Sequence, residues 1–119
     1  MAADVFAERL AKIRSRFVAA LPAKIDANDA ALPALAGDGV ASVEAVAETY
    51  RRLHGIAGTG PTIGFAATGQ AARQAEALLI QAYRAQRALT PDETTSLKDA
   101  LIALRQAARA ELQTNGIRG

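Results

Sequence analysis

His54 is the only histidine in this 119-residue chain, and its type and surroundings could support chemistry. A neutral imidazole has one nitrogen lone pair that can act as a nucleophile, a base or a metal ligand. Gly55 and Gly58 lie within one turn of His54 in a predicted helix, where each glycine costs about 1 kcal/mol relative to alanine. The two glycines indicate that the His54 ring is accessible, although close helix packing would also explain them. A lone histidine on an apolar helix face is more often a packed structural residue.

The rest of the inventory excludes most enzyme templates. The chain has no cysteine, so it can hold no disulfide, no thiol nucleophile and no cysteine-containing zinc site. It also has no HExxH zinc motif, no GxxxxGKS/T phosphate loop and no compact cluster of Asp, Glu and His residues. We therefore expect no bound metal, no cofactor and no conventional hydrolase or metalloenzyme site.

Length and composition indicate one domain over residues 1–119, because half of the residues are hydrophobic and can fill a single core. The net charge is only +2, the basic residues are scattered and aromatic residues make up 4%, which argues against nucleic-acid binding. The sequence shows no long apolar run and no signal-peptide pattern after Met1. We expect a cytoplasmic protein without a membrane segment, either free-standing or a domain of a longer chain.

Apolar residues recur every three or four positions from Asp4 to Leu21, which predicts a first helix with one buried stripe. The members of this stripe are Phe6, Leu10, Ile13, Phe17 and Leu21. Pro22 lacks a backbone N–H, so the helix should kink or restart there, with Ile25 and Leu32 in a second piece. The breaker-rich segment 33–39 then predicts a loop.

A second helix is predicted from about Ser42, as its N-cap, to about Ala57, with Glu44 in the first turn. Its apolar stripe consists of Val43, Val46, Ala47, Tyr50, Leu53 and Ala57. The glycine-rich segment 58–61 interrupts the pattern. A third, alanine-rich helix should then run over 63–84, with Leu78, Leu79 and Tyr83 as its apolar residues.

The fourth helix has the clearest local signal. Thr90, Pro91 and Glu93 combine an N-cap hydroxyl, a proline at the first helical position and an acid three residues after the cap. The apolar residues that follow at helical spacing are Leu97, Leu101, Leu104, Ala108 and Leu112. Four amphipathic helices with short connections predict an all-α, antiparallel four-helix bundle with a kinked first helix.

With this helix pattern and the residues around His54, the chain resembles histidine-containing phosphotransfer (Hpt) domains, including the phosphoacceptor domain of chemotaxis-type histidine kinases. The helix pattern agrees over nearly the whole chain, and the motif consists of His54, Gly58, Gly64, Phe65 and Glu76. The resemblance implies that His54 is the phosphoacceptor of a two-component phosphorelay and that Glu76 orients it. It also implies a partner-binding surface that consists of Ala57, Gly58, Gly60, Gly64 and Phe65.

Ala57 departs from the family pattern, because members usually have a lysine three residues after the histidine. Arg51, on the turn before His54, or Arg73, one turn before Glu76, could supply the missing charge near the phosphoryl group. An exposed arginine on a helix is more often simply solvated.

The resemblance further implies the partners of this chain. These are a sensor histidine kinase and the receiver domains of response regulators, which supply the aspartate and Mg²⁺ for transfer. The chain itself is expected to be a monomeric carrier without a catalytic site of its own, and the direction of phosphate flow stays open. One alternative is a helical adaptor that binds a receiver or kinase domain without carrying phosphate. A second alternative is a structural bundle that dimerises through its alanine-rich faces.

Overall fold

The computed structural model describes residues 2–116, which form four helices joined by short connections. The helices are α1 (Ala2–Leu35), α2 (Gly39–Thr59), α3 (Ala66–Ala85) and α4 (Pro91–Glu111). A 3-10 turn, Gly60–Ile63, connects α2 to α3, and a π-helical turn, Leu112–Gly116, follows α4. Each helix packs against its two neighbours, because α1 contacts α2 and α4 while α3 contacts the same two helices from the other side. The all-α four-helix bundle predicted from the sequence is confirmed.

The first helix is continuous from Ala2 to Leu35 and contains both Pro22 and Pro33. Of the two outcomes predicted at Pro22, a kink or a restart, the restart is therefore wrong, and the predicted loop shortens to residues 36–38. A proline removes one backbone donor from a helix but leaves the side chains beyond it free to pack. Here Ile25 lies just beyond Pro22 and is buried in the core, which favours continuation of the helix.

The buried stripe predicted for the first helix begins only at Phe17, because Phe6 is 63% exposed and Ile13 is 43% exposed. The molecule is 52 Å long, about the length of a 34-residue α-helix at 1.5 Å per residue. The 21-residue helices α2 and α4 span only about 32 Å each. The first turns of α1 therefore extend past the bundle, which leaves Phe6 and Ile13 exposed.

Arginine side chains of α2 and α4 make polar contacts with the remainder of α1. Arg105 of α4 donates to Asp26 at 2.8 Å and to Asp29 at 2.5 Å. Arg52 of α2 donates to the buried side chain of Asn28 at 3.1 Å. Such contacts add little net stability when they are partly exposed, but they fix how α1 lies against α2 and α4.

The second helix begins at Gly39, with Asp38 as its N-cap, and not at Ser42. Ser42 lies one turn inside α2, where it is buried and donates its hydroxyl to the backbone oxygen of Asp38 at 3.2 Å. Glu44 consequently lies beyond the first turn and does not take the predicted place near the helix dipole. The buried face of α2 consists of Ser42, Val46, Thr49, Leu53, Ile56 and Ala57.

The third helix begins three residues later than predicted, because the chain first makes a 3-10 turn that ends at Gly64. Gly64 has φ +92°, a left-handed conformation that glycine adopts without strain. The start of α3 has no side-chain cap from its own segment. Instead Glu111, at the end of α4, accepts from the backbone N–H groups of Ala67 at 3.2 Å and Thr68 at 2.7 Å. A carboxylate at this position also complements the positive end of the helix dipole.

The exit of α2 and the first turn of α3 approach closely at two glycines. A Cβ atom on Gly69 would lie 2.5 Å from the Cδ of Pro61, and one on Gly60 would lie 2.9 Å from the backbone oxygen of Phe65. Neither position has room for a side chain. These two glycines are therefore required for helix packing.

The capping box predicted at the start of α4 is confirmed. The N–H of Glu93 donates to Thr90 Oγ1 at 3.1 Å, and the N–H of Thr90 donates to Glu93 Oε1 at 2.8 Å. Arg87 donates to both carboxylate oxygens of Glu93, at 2.7 and 3.1 Å. The hydrogen bonds from Arg87, and then that from the Thr90 backbone, lower the pKa of Glu93 from 4.5 to about 2.

The low pKa of Glu93 predicts a loss of stability in acid. A carboxylate whose pKa is depressed by folding stabilises the fold above its unfolded pKa of 4.5, and this contribution disappears as the pH falls towards 2. We expect a loss of about 1 kcal/mol, since the pair lies at the surface. Glu93→Gln should reduce the change in urea midpoint between pH 5 and pH 2, whereas the exposed Glu48→Gln should leave it unchanged. An unaltered acid dependence in Glu93→Gln would contradict this assignment.

Candidate functional site

His54 lies about one and a half turns before the end of α2, on the side that faces α3. Its side chain is 71% exposed, yet its Nδ1 atom is hydrogen-bonded to Oε2 of Glu76 on α3. Between a neutral imidazole and an ionised carboxylate, the Nδ1–H must donate and the carboxylate must accept. The lone pair of the neutral ring is then on Nε2, the other ring nitrogen. The site therefore offers a nucleophilic nitrogen on an exposed ring.

Glu76 is the only ionisable residue that is buried within residues 2–116. A buried carboxylate needs a hydrogen-bond donor to offset the loss of hydration, and His54 provides that donor. The structure thus brings together the two residues that the sequence separates by 22 positions. The hydrogen bond therefore joins an exposed imidazole to a carboxylate that is packed in the protein.

A cleft of about 400 Å³ opens beside His54 on the α2–α3 face. Its lining consists of Tyr50, Arg51, His54, Gly55 and Tyr83. The Arg51 side chain is exposed and makes no hydrogen bond or ion pair with any described residue, so its guanidinium is available to an anion bound in this cleft. Arg73 is also exposed on α3, but it does not line the cleft.

The residues of the predicted partner surface divide into two groups. Gly58 and Gly64 are exposed, and a Cβ atom added to either would meet nothing within 4 Å. Ala57, Gly60 and Phe65 are buried, and the Phe65 ring lies in the core with its centroid 5.2 Å from that of Phe17. These three residues cannot contact a partner directly in this fold, because α1, α3 and the 3-10 turn cover them. They pack in the interior below the exposed residues Gly58 and Gly64.

The glycines around His54 are explained in two different ways. Gly60 packs against α3, as described above, whereas Gly55 and Gly58 are helical residues whose added Cβ atoms would meet nothing within 4 Å. Neither packing nor backbone conformation requires glycine at these two positions, although each costs the helix about 1 kcal/mol. The open space beside them favours the interpretation that they keep the approach to His54 free.

Tyr50 and Tyr83 are site residues that the sequence analysis assigned to the apolar stripes of their helices. Tyr50 is only half-buried and Tyr83 is 38% exposed, so both rings reach the surface. The signal that could have identified them is spacing. Tyr50 precedes His54 by four residues and Tyr83 follows Glu76 by seven, and both separations keep two side chains on one helix face.

Within residues 2–116, no group of three or more His, Cys, Asp or Glu side chains is placed to hold a metal ion. None of the helices in that range combines the length with the apolar character that a bilayer-spanning segment needs.

The family model of the Hpt domain matches residues 4–107, a range that contains His54, Glu76 and every residue that lines the cleft. No curated protein and no solved structure matches the chain.

Proposed function

Because the chain belongs to the Hpt domain family, we propose that His54 is its phosphoacceptor and carries a phosphoryl group to or from a receiver-domain aspartate. Hpt domains act in phosphotransfer in two-component signalling, where they interact with histidine kinases and receiver domains. The observation that carries the proposal is the exposed imidazole of His54, whose Nδ1–H is held by the buried carboxylate of Glu76. This arrangement leaves Nε2 as the free nucleophile.

In the proposed acceptance step, the Nε2 lone pair of His54 attacks the phosphorus of an aspartyl phosphate on a receiver domain. The bond between phosphorus and the aspartate oxygen breaks, the aspartate leaves as a carboxylate, and a phosphorus–nitrogen bond forms. The Nδ1–H proton stays on the ring, which becomes positively charged, and the Glu76 carboxylate stabilises that charge. Transfer to a second receiver reverses the same steps, and a kinase phosphohistidine is the alternative donor.

Phosphoryl transfer depends mainly on positioning and on stabilising the charge of the phosphoryl oxygens. We assign the second role on this chain to Arg51, because it lines the cleft beside His54 and has no other charged partner within residues 2–116. Arg73 is a second candidate on α3, although it does not line the cleft. Arg51 would then replace the lysine that is absent at Ala57. The receiver domain supplies its own aspartate and Mg²⁺, so the Hpt domain needs no catalytic site of its own.

We propose that the domain acts as a monomer. A receiver domain must reach the α2–α3 face, so His54 has to remain uncovered, as it is in a monomer. Receiver domains and kinase catalytic domains operate in the cytoplasm, and we place this chain in the same compartment.

The proposal can be tested with labelled phosphate. Purified receiver domains charged with acetyl phosphate, and autophosphorylated histidine kinases, are each incubated with the wild-type chain. We expect transfer of label that is lost in acid and retained in alkali, as a phosphorus–nitrogen bond requires. An absence of label from every donor, together with measurable binding to a receiver, would favour the adaptor that carries no phosphate.

Substitution of Glu76 provides a second prediction. Glu76→Gln retains the size of the side chain but removes the charge that stabilises the phosphorylated imidazolium. A hydrogen bond to a charged group contributes about 1.5–3 kcal/mol, so the single-turnover rate of phosphoryl acceptance should fall about tenfold or more. The exposed Glu44→Gln on α2 serves as the control and should retain the wild-type rate. An unchanged rate in Glu76→Gln would show that the carboxylate does not assist His54.

A further inference from the structure

Tyr50 of α2 and Tyr83 of α3 form an aromatic pair directly beside His54. We call the line along which these two helices meet the α2–α3 seam. Their ring centroids are 4.3 Å apart with the planes tilted by 55°, a geometry typical of attractive aromatic contacts. The Tyr50 ring also lies 6.0 Å from the His54 imidazole, at an angle of 59°. The seam therefore carries two adjacent cross-helix pairs, His54 with Glu76 and Tyr50 with Tyr83.

The contribution of the two tyrosines comes from their rings. Neither hydroxyl group has a hydrogen-bond partner among residues 2–116, although both rings touch the cleft. A helical side chain leans towards the turn that precedes it, so the imidazole of His54 lies over the turn that contains Tyr50. On the following turn is Gly58, which has no side chain. The imidazole therefore has the Tyr50 ring on the side of the preceding turn and no side chain on the side of the following turn.

We infer that Tyr50, braced by Tyr83, is a positioning residue that keeps the His54 imidazole in its hydrogen bond with Glu76; this inference rests on the proposed function of His54. The Glu76 carboxylate holds only one atom of a ring that is 71% exposed and that can rotate about two side-chain bonds. The Tyr50 ring occupies the space on the side of the preceding turn. It limits rotation there, so the Nδ1–H stays in its hydrogen bond with Glu76 and Nε2 remains the exposed ring nitrogen.

Preorganisation of this kind affects the rate of the transfer step more than the binding of the donor. Without the Tyr50 ring, the imidazole spends more time in rotamers that lack the Glu76 hydrogen bond. The proton is then no longer held on Nδ1, and the lone pair is no longer held on Nε2. The population of the reactive tautomer falls, and the rate of phosphoryl acceptance falls with it.

The first readout is the imidazole ¹⁵N spectrum of the unphosphorylated full chain, which reports the tautomer directly because His54 is the only histidine. We expect the wild type and Tyr50→Phe to show predominantly the Nδ1–H tautomer. Tyr50→Ala should show a mixture with the Nε2–H tautomer, and Tyr83→Ala a smaller change in the same direction. The rate of acceptance at saturating donor should fall about two- to tenfold in Tyr50→Ala, the effect of losing one aromatic contact.

Alanine is a strong helix former, so Tyr50→Ala should preserve α2. Tyr83→Ala removes the aromatic contact with Tyr50 without any change in the sequence of α2. If both alanine variants keep the wild-type tautomer ratio, the inference is overturned. The tautomer is measured in protein that has met no phosphate donor. A wild-type chain that accepts no label would therefore refute the proposed function, while the spectra would still decide whether Tyr50 positions His54.

Discussion

His54→Gln is expected to accept no phosphoryl group from any donor that labels the wild-type chain. A primary amide is not nucleophilic, and the sequence contains no second histidine that could take over. The fold should be retained because the side chain is 71% exposed and makes no contribution to the hydrophobic core. The amide N–H of glutamine can also donate to Glu76, which keeps a partner for the buried carboxylate. The measurements are label transfer and the thermal midpoint of both proteins.

The comparison with His54→Ala separates chemistry from stability. Both variants should lack acid-labile label, but the alanine variant leaves the Glu76 carboxylate without its donor. Its free energy of unfolding should be lower than that of His54→Gln by about 1–3 kcal/mol. Acid-labile, alkali-stable label on His54→Gln would contradict the assignment of the phosphoacceptor. In cells, a signalling effect that survives this substitution would support the adaptor.

Gly58→Leu is expected to reduce phosphoryl transfer by at least about tenfold while leaving the bundle as stable as the wild type, or more stable. Gly58 lies four residues after His54 on α2, so a side chain there projects from the same helix face. A Cβ atom at this position meets nothing within 4 Å, and leucine is a far better helix former than glycine. The leucine side chain would occupy the open side of the imidazole, where a receiver domain has to approach Nε2.

The matched control is Gly58→Ala, which gives most of the gain in helix stability with little added bulk. Its expected result is a free energy of unfolding about 1 kcal/mol higher and a transfer rate near that of the wild type. Gly64 is a poorer choice for this test, because its φ of +92° would strain any larger residue and confound the loss of transfer. If Gly58→Leu transfers at the wild-type rate, the access interpretation of the glycines is wrong.

The features that could be predicted from the sequence depend on residues within one or two helical turns of one another. The capping box of Thr90 and Glu93 is contained in four residues, and it is found as predicted. The helical periods gave the number and order of the helices. They also placed His54 near the end of the second helix, so that a short connection brings the third helix alongside. The resemblance to Hpt domains implied Glu76 as the partner of His54, and the two side chains are in contact.

Other features depended on how far each helix extends beside its neighbours. An amphipathic period shows which face of a helix is apolar, but not whether another helix covers that face. Phe6 and Ile13 continue the stripe of Phe17 and are nevertheless exposed, because α1 outreaches α2 and α4. Similarly, Phe65 belongs to the motif, yet the 3-10 turn directs it into the core.

Contacts between distant residues were decided only by the tertiary structure. Glu111 caps the start of α3 through a hydrogen bond to Thr68 that spans 43 positions, and the Tyr50–Tyr83 pair joins two apolar stripes whose local patterns are unrelated. Local sequence therefore determined the helices and the position of the single histidine on the second of them. The relative placement of the helices decided which side chains support that residue, because such placement depends on the packing of the whole core and not on any one segment.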